Sequence, residues 1–372
     1  MATQTGVNPH RAWISLNGPV FPLINGSATL NGTRQSSHFS ATIPINYPGA
    51  QAAAAGLCDN QCAVIVESNG KKAALVIGEA DSTTFNYGQN GTIVISGRDN
   101  SSRLHNKKYH DKFENKRTTE VVQELCDLVG LVCEPSGEGT MFGKKLDDEG
   151  GYVDIAEGMS YAAIISKCAE LDNARWFVDT SNVFHYEIDP QPSAGFTVYY
   201  QAGPPEKSDA FQISIERNIQ AGKTIKVFIK SWQSEDKDTH EADASVAGCG
   251  TDVEYEFNAP TMVQDQVQKY AESKANEIAR HEITVHAHVV GDPTITIDSG
   301  LGVSGDTVFD GAYLIDQIHH TFGMPGHKMT ITARGSRGGR SAAAAPTGGL
   351  PGEDFSGGSG TTPTGTSAGL GG

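Results

Sequence analysis

The chain has 372 residues, of which 38% are hydrophobic and 19% charged, and 43 of them are glycines. This length allows two or three domains with their own cores, and the many glycines between short apolar runs indicate a β-rich protein with frequent turns. The formal net charge of −16 argues against a protein that holds nucleic acid by surface charge, and fits either solubility or a passage that repels DNA.

The sequence predicts a protein that is made in the cytoplasm and stays soluble. Residues 1–13 lack the apolar core of a signal peptide. No apolar run approaches the roughly 20 residues that a membrane-spanning helix needs.

The first predicted domain, residues 1–97, has a β pattern throughout. Residues 12–16 and 20–21 predict two strands joined by a tight turn at Asn17-Gly18. Ala28–Leu30 lies before a second Asn-Gly pair, and further strands are predicted at 38–44, 63–67, 73–77 and 92–96. Six or seven short strands at this spacing predict a small barrel or sandwich.

The second predicted domain, residues 98–190, combines helices with a hairpin. Thr118 or Thr119 is the predicted cap of a helix that ends near Gly130. Ser160 is the predicted cap of a second helix, whose inward residues are Ile164, Ile165, Cys168 and Leu171. The hairpin 175–186 follows, and the whole segment predicts a compact α/β domain.

The third predicted domain, residues 191–335, returns to β structure around one long helix. The helix is predicted near 261–281, and its narrow apolar stripe favours a helix that covers a barrel over an exposed coiled coil. The sequence predicts strands at 211–216, 224–231, 282–290 and 294–298, and a closing hairpin from 312–318 and 329–333. Residues 336–372 are mostly Gly, Ser, Ala, Thr and Pro and predict a flexible tail.

Candidate catalytic and metal-binding residues are few. The acidic pairs Asp147–Asp148 and Glu235–Asp236 lie in polar loops, where solvated carboxylates are the expected reading. His286, His288 and the pair His319–His320 could bind a metal if three imidazoles shared a face. Adjacent strand residues point to opposite faces, so we expect one histidine of each pair to be packed or hydrogen-bonded. With no hydrolase, zinc-protease or P-loop motif, we predict no catalytic residue, no metal, no cofactor and no enzyme activity.

The cysteines give no metal-binding pattern. Cys58 and Cys62 have no second pair at the spacing that a zinc site needs, and a disulfide between them is the alternative. Cys126 and Cys168 fall on the apolar faces of predicted helices, so we expect them to be buried as small hydrophobic residues.

Two segments carry motifs that point to a known family. The segment 93–104 ends a strand with the residues Gly97, Arg98, Asp99 and Leu104. The hairpin 309–335 carries Gly311, Tyr313, His319, Thr330 or Thr332, and Arg334. In order and spacing these motifs resemble those of the phage late-control D proteins, the baseplate hubs of contractile tails. The segments 113–134, 158–187 and 271–305 resemble further helices and hairpins of the same family.

The resemblance implies a mainly β fold with α+β parts, in which two tail-tube-like β-barrels accompany an inserted α/β domain, as in the T4 hub. It implies a virion structural protein of the tail baseplate, assembled in the host cytoplasm. There a homotrimer would act as a symmetry adaptor between the hexameric tail tube and a trimeric spike. The implied partners are the tail tube protein, the central spike protein and other baseplate or tape-measure proteins. DNA would pass during ejection through a channel with an acidic wall, without stable binding.

Two other classes of function stay open from the sequence. One is a tail-tip cell-wall hydrolase, which would need a convergent acid pair or a metal centre. The other is a receptor- or glycan-binding protein, which would need aromatic-lined loops. Trp13, Trp176 and Trp232 all fall in predicted strands, which does not favour the second class.

Overall fold

The structure is a computed structural model that describes residues 10–58, 61–142, 158–200, 210–232, 239–259, 262–305 and 308–335. The predicted tail 336–372 and the acidic pairs of the two polar loops lie outside the described residues. Strands predominate and helices are interspersed, as predicted. Within these ranges, no helix has the length and apolar character required to cross a membrane.

The described residues between 10 and 99 form seven strands and one short helix. The predicted turn is confirmed, because Asn17 and Gly18 both have positive φ angles. Buried apolar and more exposed side chains alternate along the strands, so each strand turns one face to the core. The elements are β1 (His10–Leu16), β2 (Val20–Pro22), β3 (Asn25–Asn31), β4 (His38–Pro44), α1 (Ala50–Ala55), β5 (Gln61–Ser68), β6 (Lys71–Asn86) and β7 (Thr92–Asp99).

The long strand β6 changes its pairing partner along its length. Its first half pairs with β5, and its second half, from Gly78 onward, pairs with β7. At the change of partner the backbones are close, because a Cβ atom added to Gly78 would lie 1.9 Å from the carbonyl oxygen of Arg98. Side chains of β1 and β5 therefore share one core with those of β7.

The α/β unit contains both predicted helices, but one helix begins differently from the prediction. Ser160 caps its helix as predicted, with its Oγ accepting a hydrogen bond from the Ala163 N–H at 3.2 Å. Thr118 is not a cap: it is buried and its hydroxyl donates to Asp172, while Arg117 occupies the cap position. The elements are α2 (Ser102–Asn106), β8 (Lys116–Arg117), α3 (Thr118–Asp127), β9 (Val132–Ser136), β10 (Met141–Phe142), α4 (Tyr161–Leu171), β11 (Ala174–Val178) and β12 (Val183–Ile188).

The remaining described residues form the third unit, in which the sequence missed some strands and predicted one wrongly. The missed strands include Thr239–Val246, Cys249–Asn258 and Leu301–Ser304. The predicted strand 294–298 is wrong: Ile297–Ser299 is a 3₁₀ turn, and Thr294 and Thr296 bond locally to Asp292 and Asp298, which competes with strand pairing. The elements are β13 (Phe196–Tyr199), β14 (Ala210–Arg217), β15 (Lys223–Trp232), β16 (Thr239–Val246), β17 (Cys249–Asn258), α5 (Gln264–Arg280), β18 (Ile283–Val290), β19 (Leu301–Ser304), β20 (Gly311–Gly323) and β21 (Gly326–Gly335).

One continuous sheet joins the first and last parts of the chain. Strand β20 of the closing hairpin pairs with β3, so the strand order runs β14-β18-β21-β20-β3-β4-β7-β6-β5-β1-β2. A single cluster of buried apolar side chains lines the sheet, from Ile14 and Ile95 to Ile318 and Ile331. The two predicted barrels thus share a sheet and a core. The domain limits at 97, 190 and 335 stay predictions.

Helix α5 packs on a small separate sheet rather than on the large one. The small sheet has the order β16-β15-β17, and Ile225, Val227 and Ile229 share its buried face as predicted. The other side of the helix reaches the α/β unit, where Gln266 Nε2 donates to the Met141 carbonyl at 2.8 Å. The Ser273 hydroxyl donates to the Glu170 carbonyl at 2.7 Å. The helix is therefore a bridge between two units. It covers a three-stranded sheet, so the predicted packing on a barrel and the coiled-coil alternative are both wrong.

Two arginines tie the α/β unit to the large sheet. Arg34, between β3 and β4, donates to the carbonyls of Ala169 and Ala174, each at 3.1 Å. Arg175 on β11 donates to the Ile315 carbonyl on β20 at 3.3 Å. Because both arginines bond to backbone, they fix the α/β unit against the strands that carry the candidate site.

Candidate functional site

The best candidate for a functional surface is the side of the large sheet that faces away from the core. Across its middle strands this surface carries hydroxyl, amide and imidazole groups, whereas the alternate side chains are buried and, apart from His320, apolar. We call it the polar face. Its residues are Ser27, Thr29 and Asn31 on β3, His38 and Ser40 on β4, Ser96 on β7, His286 and His288 on β18, Gln317, His319 and Thr321 on β20, and Thr330 and Thr332 on β21.

Strand register aligns these residues in rows across the sheet. In one row His288 pairs with Thr330, Thr330 with His319, His319 with Thr29, and Thr29 with His38. We call this the imidazole row. Directly opposed residues of neighbouring strands lie on the same face, so three imidazoles and two hydroxyls form one line across five strands.

Each hydroxyl of the imidazole row holds one ring. Thr29 Oγ1 lies 2.8 Å from His319 Nδ1, and Thr330 Oγ1 lies 3.0 Å from His288 Nδ1. In the next row Thr332 Oγ1 lies 3.2 Å from His286 Nδ1. These bonds orient the rings and engage Nδ1, which leaves Nε2 for another partner.

The structure brings part of the hairpin motif onto this face. His319 and Thr332 belong to the polar face, and Arg334 lies at its margin, with its Nε 2.9 Å from Asp316 Oδ2. Tyr313 is buried instead, and its hydroxyl donates to the Phe309 carbonyl at 2.5 Å. Gly311 starts β20 opposite Val303. The motif thus combines surface groups with groups that close the hairpin.

The other motif lies where the large sheet meets the α/β unit. Gly97 faces the Phe39 ring and the Glu79 carbonyl so closely that a Cβ would not fit. Arg98 Nε and Nη2 donate to Asp81 at 2.8 Å each. The next two positions are structural: Asp99 is buried and accepts backbone N–H groups of Ser37 and Ser101, and Leu104 packs in the α/β core.

The centre of the polar face carries no fixed charge, and its margins carry mostly paired ones. Arg98 pairs with Asp81, and Arg334 pairs with Asp316. Burial raises the pKa of Asp316, although Arg334, Arg175 and Arg280 act in the opposite direction. Burial and the nearby His38 lower the pKa of His319, so its ring is neutral at pH 7.

On the core side of the hairpin, two histidines form a buried pair. His320 is fully buried, as expected for the neighbour of an outward residue, and its Nδ1 lies 3.0 Å from His327 Nε2. Burial, reinforced by His327, lowers the pKa of His320 to about 3, and burial lowers that of His327 to about 4. Both rings are therefore neutral over most of the pH range.

This pair predicts acid sensitivity. An unfolded histidine has a pKa of about 6.5. Below that pH the unfolded chain binds more protons than the folded chain, in which both rings stay neutral. The free energy of unfolding therefore falls as the pH is lowered, until the folded pair is itself protonated at about pH 3 to 4. Replacing His320 with Phe should reduce the slope of this fall by up to about 1.4 kcal/mol per pH unit, the equivalent of one proton. Urea unfolding between pH 4.5 and 7.5 measures the slope, with exposed His110→Gln as control. An unchanged slope in His320→Phe would contradict the assignment.

Comparison with solved structures identifies the fold. A tail protein from Neisseria meningitidis MC58 superposes with a TM-score of 0.68 at 12% identity, over 87% of this chain and 96% of that chain. The 43 kDa tail protein of prophage MuSo2 from Shewanella oneidensis gives 0.66 at 15% identity, over 87% and 98%. This protein has a phage tail-protein fold.

A third tail-protein fold comes from a secretion system. It is an E. coli component of the type VI secretion system that is structurally similar to the T4 tail proteins gp27 and gp5. It superposes on this chain with a TM-score of 0.58 at 8% identity, over 88% of this chain and 78% of that chain. The predicted fold class, β-rich and T4-hub-like, is confirmed. No protein-family model matches the sequence, and no curated protein does either.

No metal centre accompanies this fold in the described part of the chain, where no three His, Cys, Asp or Glu side chains converge on one point. Cys126 and Cys168 are buried, as predicted. Burial raises the pKa of the Cys62 thiol to about 11. The imidazoles of the polar face are spread along a row instead of gathered around a point.

Sequence reasoning missed more than half of the polar face. Thr29, His38 and Ser40 belong to it because β4 pairs with β3, and β3 pairs with β20, which is distant in sequence. Polar and apolar residues alternate in 38–44, and this pattern predicts which side of the strand faces outward. It does not predict which strand pairs with it.

Proposed function

We propose that this protein is a structural, non-catalytic hub of a phage or phage-like tail. It acts as a homotrimer that joins a hexameric tail tube to a trimeric spike in the virion, and its polar face lines the DNA channel. The observation that carries the proposal is the polar face itself. It is continuous across strands from both ends of the chain, in a fold that phage tail proteins share.

The width of the sheet supports a trimeric ring. The path from β14 through β18, β21, β20, β3, β4 and β7 to β6 comprises eight strands, so three copies supply 24. At a strand spacing of about 4.8 Å, 24 strands span about 115 Å of circumference, or about 37 Å of diameter between backbones before strand tilt. That opening leaves room for side chains and a passing DNA duplex.

The chemistry of the polar face supports passage rather than binding. A wall that carried many cations would hold DNA phosphates, whereas this face presents hydroxyl, amide and imidazole groups and pairs Arg98 and Arg334 with carboxylates. The sequence-based expectation was an acidic channel wall. On this proposal the wall is instead neutral and polar, and the excess of acidic residues lies elsewhere.

The partners are proposed on symmetry. A trimer whose chains each contribute two tube-like halves presents six similar units to the hexameric tail tube and three to the spike. Baseplate or tape-measure proteins would contact the remaining surface. The type VI component and the tail proteins share this fold. We therefore favour a structural role in assembly over the function of a hydrolase or of a glycan-binding protein.

Light scattering of the purified full chain tests the trimer. We expect about 118 kDa, three times the 39.4 kDa monomer, alone or after addition of the tail tube and spike proteins. A chain that ends at Gly335 serves as a matched variant and should give the same stoichiometry, because the polar face lies within the described strands. A monomer in all these conditions would contradict the hub, and lytic activity on peptidoglycan would favour the hydrolase.

A further inference from the structure

The imidazole row is a second property of the polar face, independent of the fold resemblance. His38, His319 and His288 alternate with Thr29 and Thr330, so successive imidazoles lie about two strand spacings, roughly 10 Å, apart. His286 lies beside them in the next row. Four imidazoles, the side-chain type that serves as a charge switch in the physiological pH range, are thus concentrated on one surface.

We propose that the imidazole row is a proton-switched contact surface for the phosphates of nucleic acid, one that gains positive charge on acidification. The proposal rests on the proposed function, in which DNA passes along this face. It adds that acidification converts a wall that DNA slides past into one that holds it.

The hydrogen bonds of the row fit this role. Thr29 and Thr330 engage Nδ1 of His319 and His288, so a protonated ring can donate from Nε2 to an anion while its orientation is kept. His38 and His288 are exposed and His319 is half-buried, so each ring can be reached from solvent.

The charged groups around the row leave its protonation uncompensated. Arg98 follows His38 in the same row and is held by Asp81. Further charged groups that face the histidines from neighbouring strands are Glu216 on β14, Lys328 and Arg334 on β21, Asp316 on β20, and Glu79 on β6. Lys328 adds to the positive charge, and Asp316 and Glu79 are paired with Arg334 and Arg103. Of the carboxylates that face the row, Glu216 forms no ion pair with another residue that the structure describes, and it lies at the edge, so protonation adds positive charge at the centre.

Nucleic acid is the favoured anion because the row lies among hydroxyls. Ser27, Ser40 and Thr321 border it, and these are groups that bond to phosphate oxygens. The row itself consists of imidazoles and hydroxyls, and the exposed Val290 of the bordering row is too small to anchor the protein in a lipid layer, which argues against an anionic membrane as the partner.

The test measures binding of a labelled dT20 oligonucleotide to the full chain by fluorescence anisotropy at pH 5.5 and 7.5 in low salt. We expect at least tenfold tighter binding at pH 5.5. The salt dependence should also be steeper there, by about two units of log K per log salt, from three cations at about 0.7 each. The triple variant His38→Gln, His288→Gln and His319→Gln should lose both changes.

A matched triple variant separates the row from the general loss of negative charge on acidification. His105→Gln, His110→Gln and His240→Gln removes three imidazoles outside the row and should keep the parent's pH response. Circular dichroism at pH 7.5 checks that both variants fold. The proposal would be overturned if both variants lost the pH response of oligonucleotide binding equally, or if the parent did not bind the oligonucleotide at pH 5.5. Binding to phosphatidylglycerol vesicles in place of the oligonucleotide would also overturn it. Light scattering of the same samples reports separately on the trimer.

Discussion

Replacing Asp172 with alanine is expected to lower the free energy of unfolding of the α/β unit by about 3 kcal/mol or more. Asp172 is buried at the end of α4 and accepts hydrogen bonds from the Thr118 hydroxyl, the Tyr186 hydroxyl at 2.8 Å and the Thr140 N–H at 3.0 Å. Alanine leaves three buried donors without an acceptor, and each costs about 1 to 3 kcal/mol.

Urea unfolding of the full chain, followed by tryptophan fluorescence, measures this loss, since Trp176 lies in the same core. Asp172→Asn keeps one acceptor oxygen and should lose less. Asp127→Ala, at an exposed position on α3, should change the free energy by less than about 0.5 kcal/mol. If Asp172→Ala and Asp127→Ala unfold alike, the buried carboxylate does not organise this core.

The second large effect is expected at Gly78, where β6 changes partner. Alanine there would place Cβ 1.9 Å from the Arg98 carbonyl oxygen and 2.5 Å from the Asp99 Cα. Both contacts are to backbone, which no rotamer change can relieve, so the strands β6 and β7 must separate. We expect a loss of about 3 kcal/mol or more, or a failure to fold.

Gly88→Ala is the matched control, because Gly88 is exposed and a Cβ there would meet nothing within 4 Å. Soluble expression and thermal unfolding of the two variants decide the case. A Gly78→Ala protein as stable as Gly88→Ala would show that the two strands do not approach as closely as the structure has them.

These two positions show where sequence reasoning stopped. The helix α4 was predictable because Ser160 and the spacing of Ile164, Ile165 and Cys168 are local signals. Asp172 was not singled out, since its donors come from α3, from β12 and from the segment before β10. Gly78 stands in an ordinary strand pattern, and only the approach of β7 makes a side chain impossible there.

The same division holds for the candidate site. The sequence placed His319, Thr332 and Arg334 in one hairpin and expected one histidine of the pair 319–320 to be packed, which the buried His320 confirms. It also expected His286 and His288 on one face of a strand. It could not place His38 and Thr29 beside them, because these residues meet through the pairing of β20 with β3.

The β-rich character, most strand and helix positions, and the apolar side of each strand could be predicted from the sequence, because they depend on periodicity and on capping within a few residues. Three further features became visible only in the folded chain: both halves share one sheet, α5 bridges two units, and three imidazoles fall in one row. The physical reason is that strand partners and register are set by packing between segments that can be hundreds of residues apart. Such contacts cannot be predicted from a local sequence pattern.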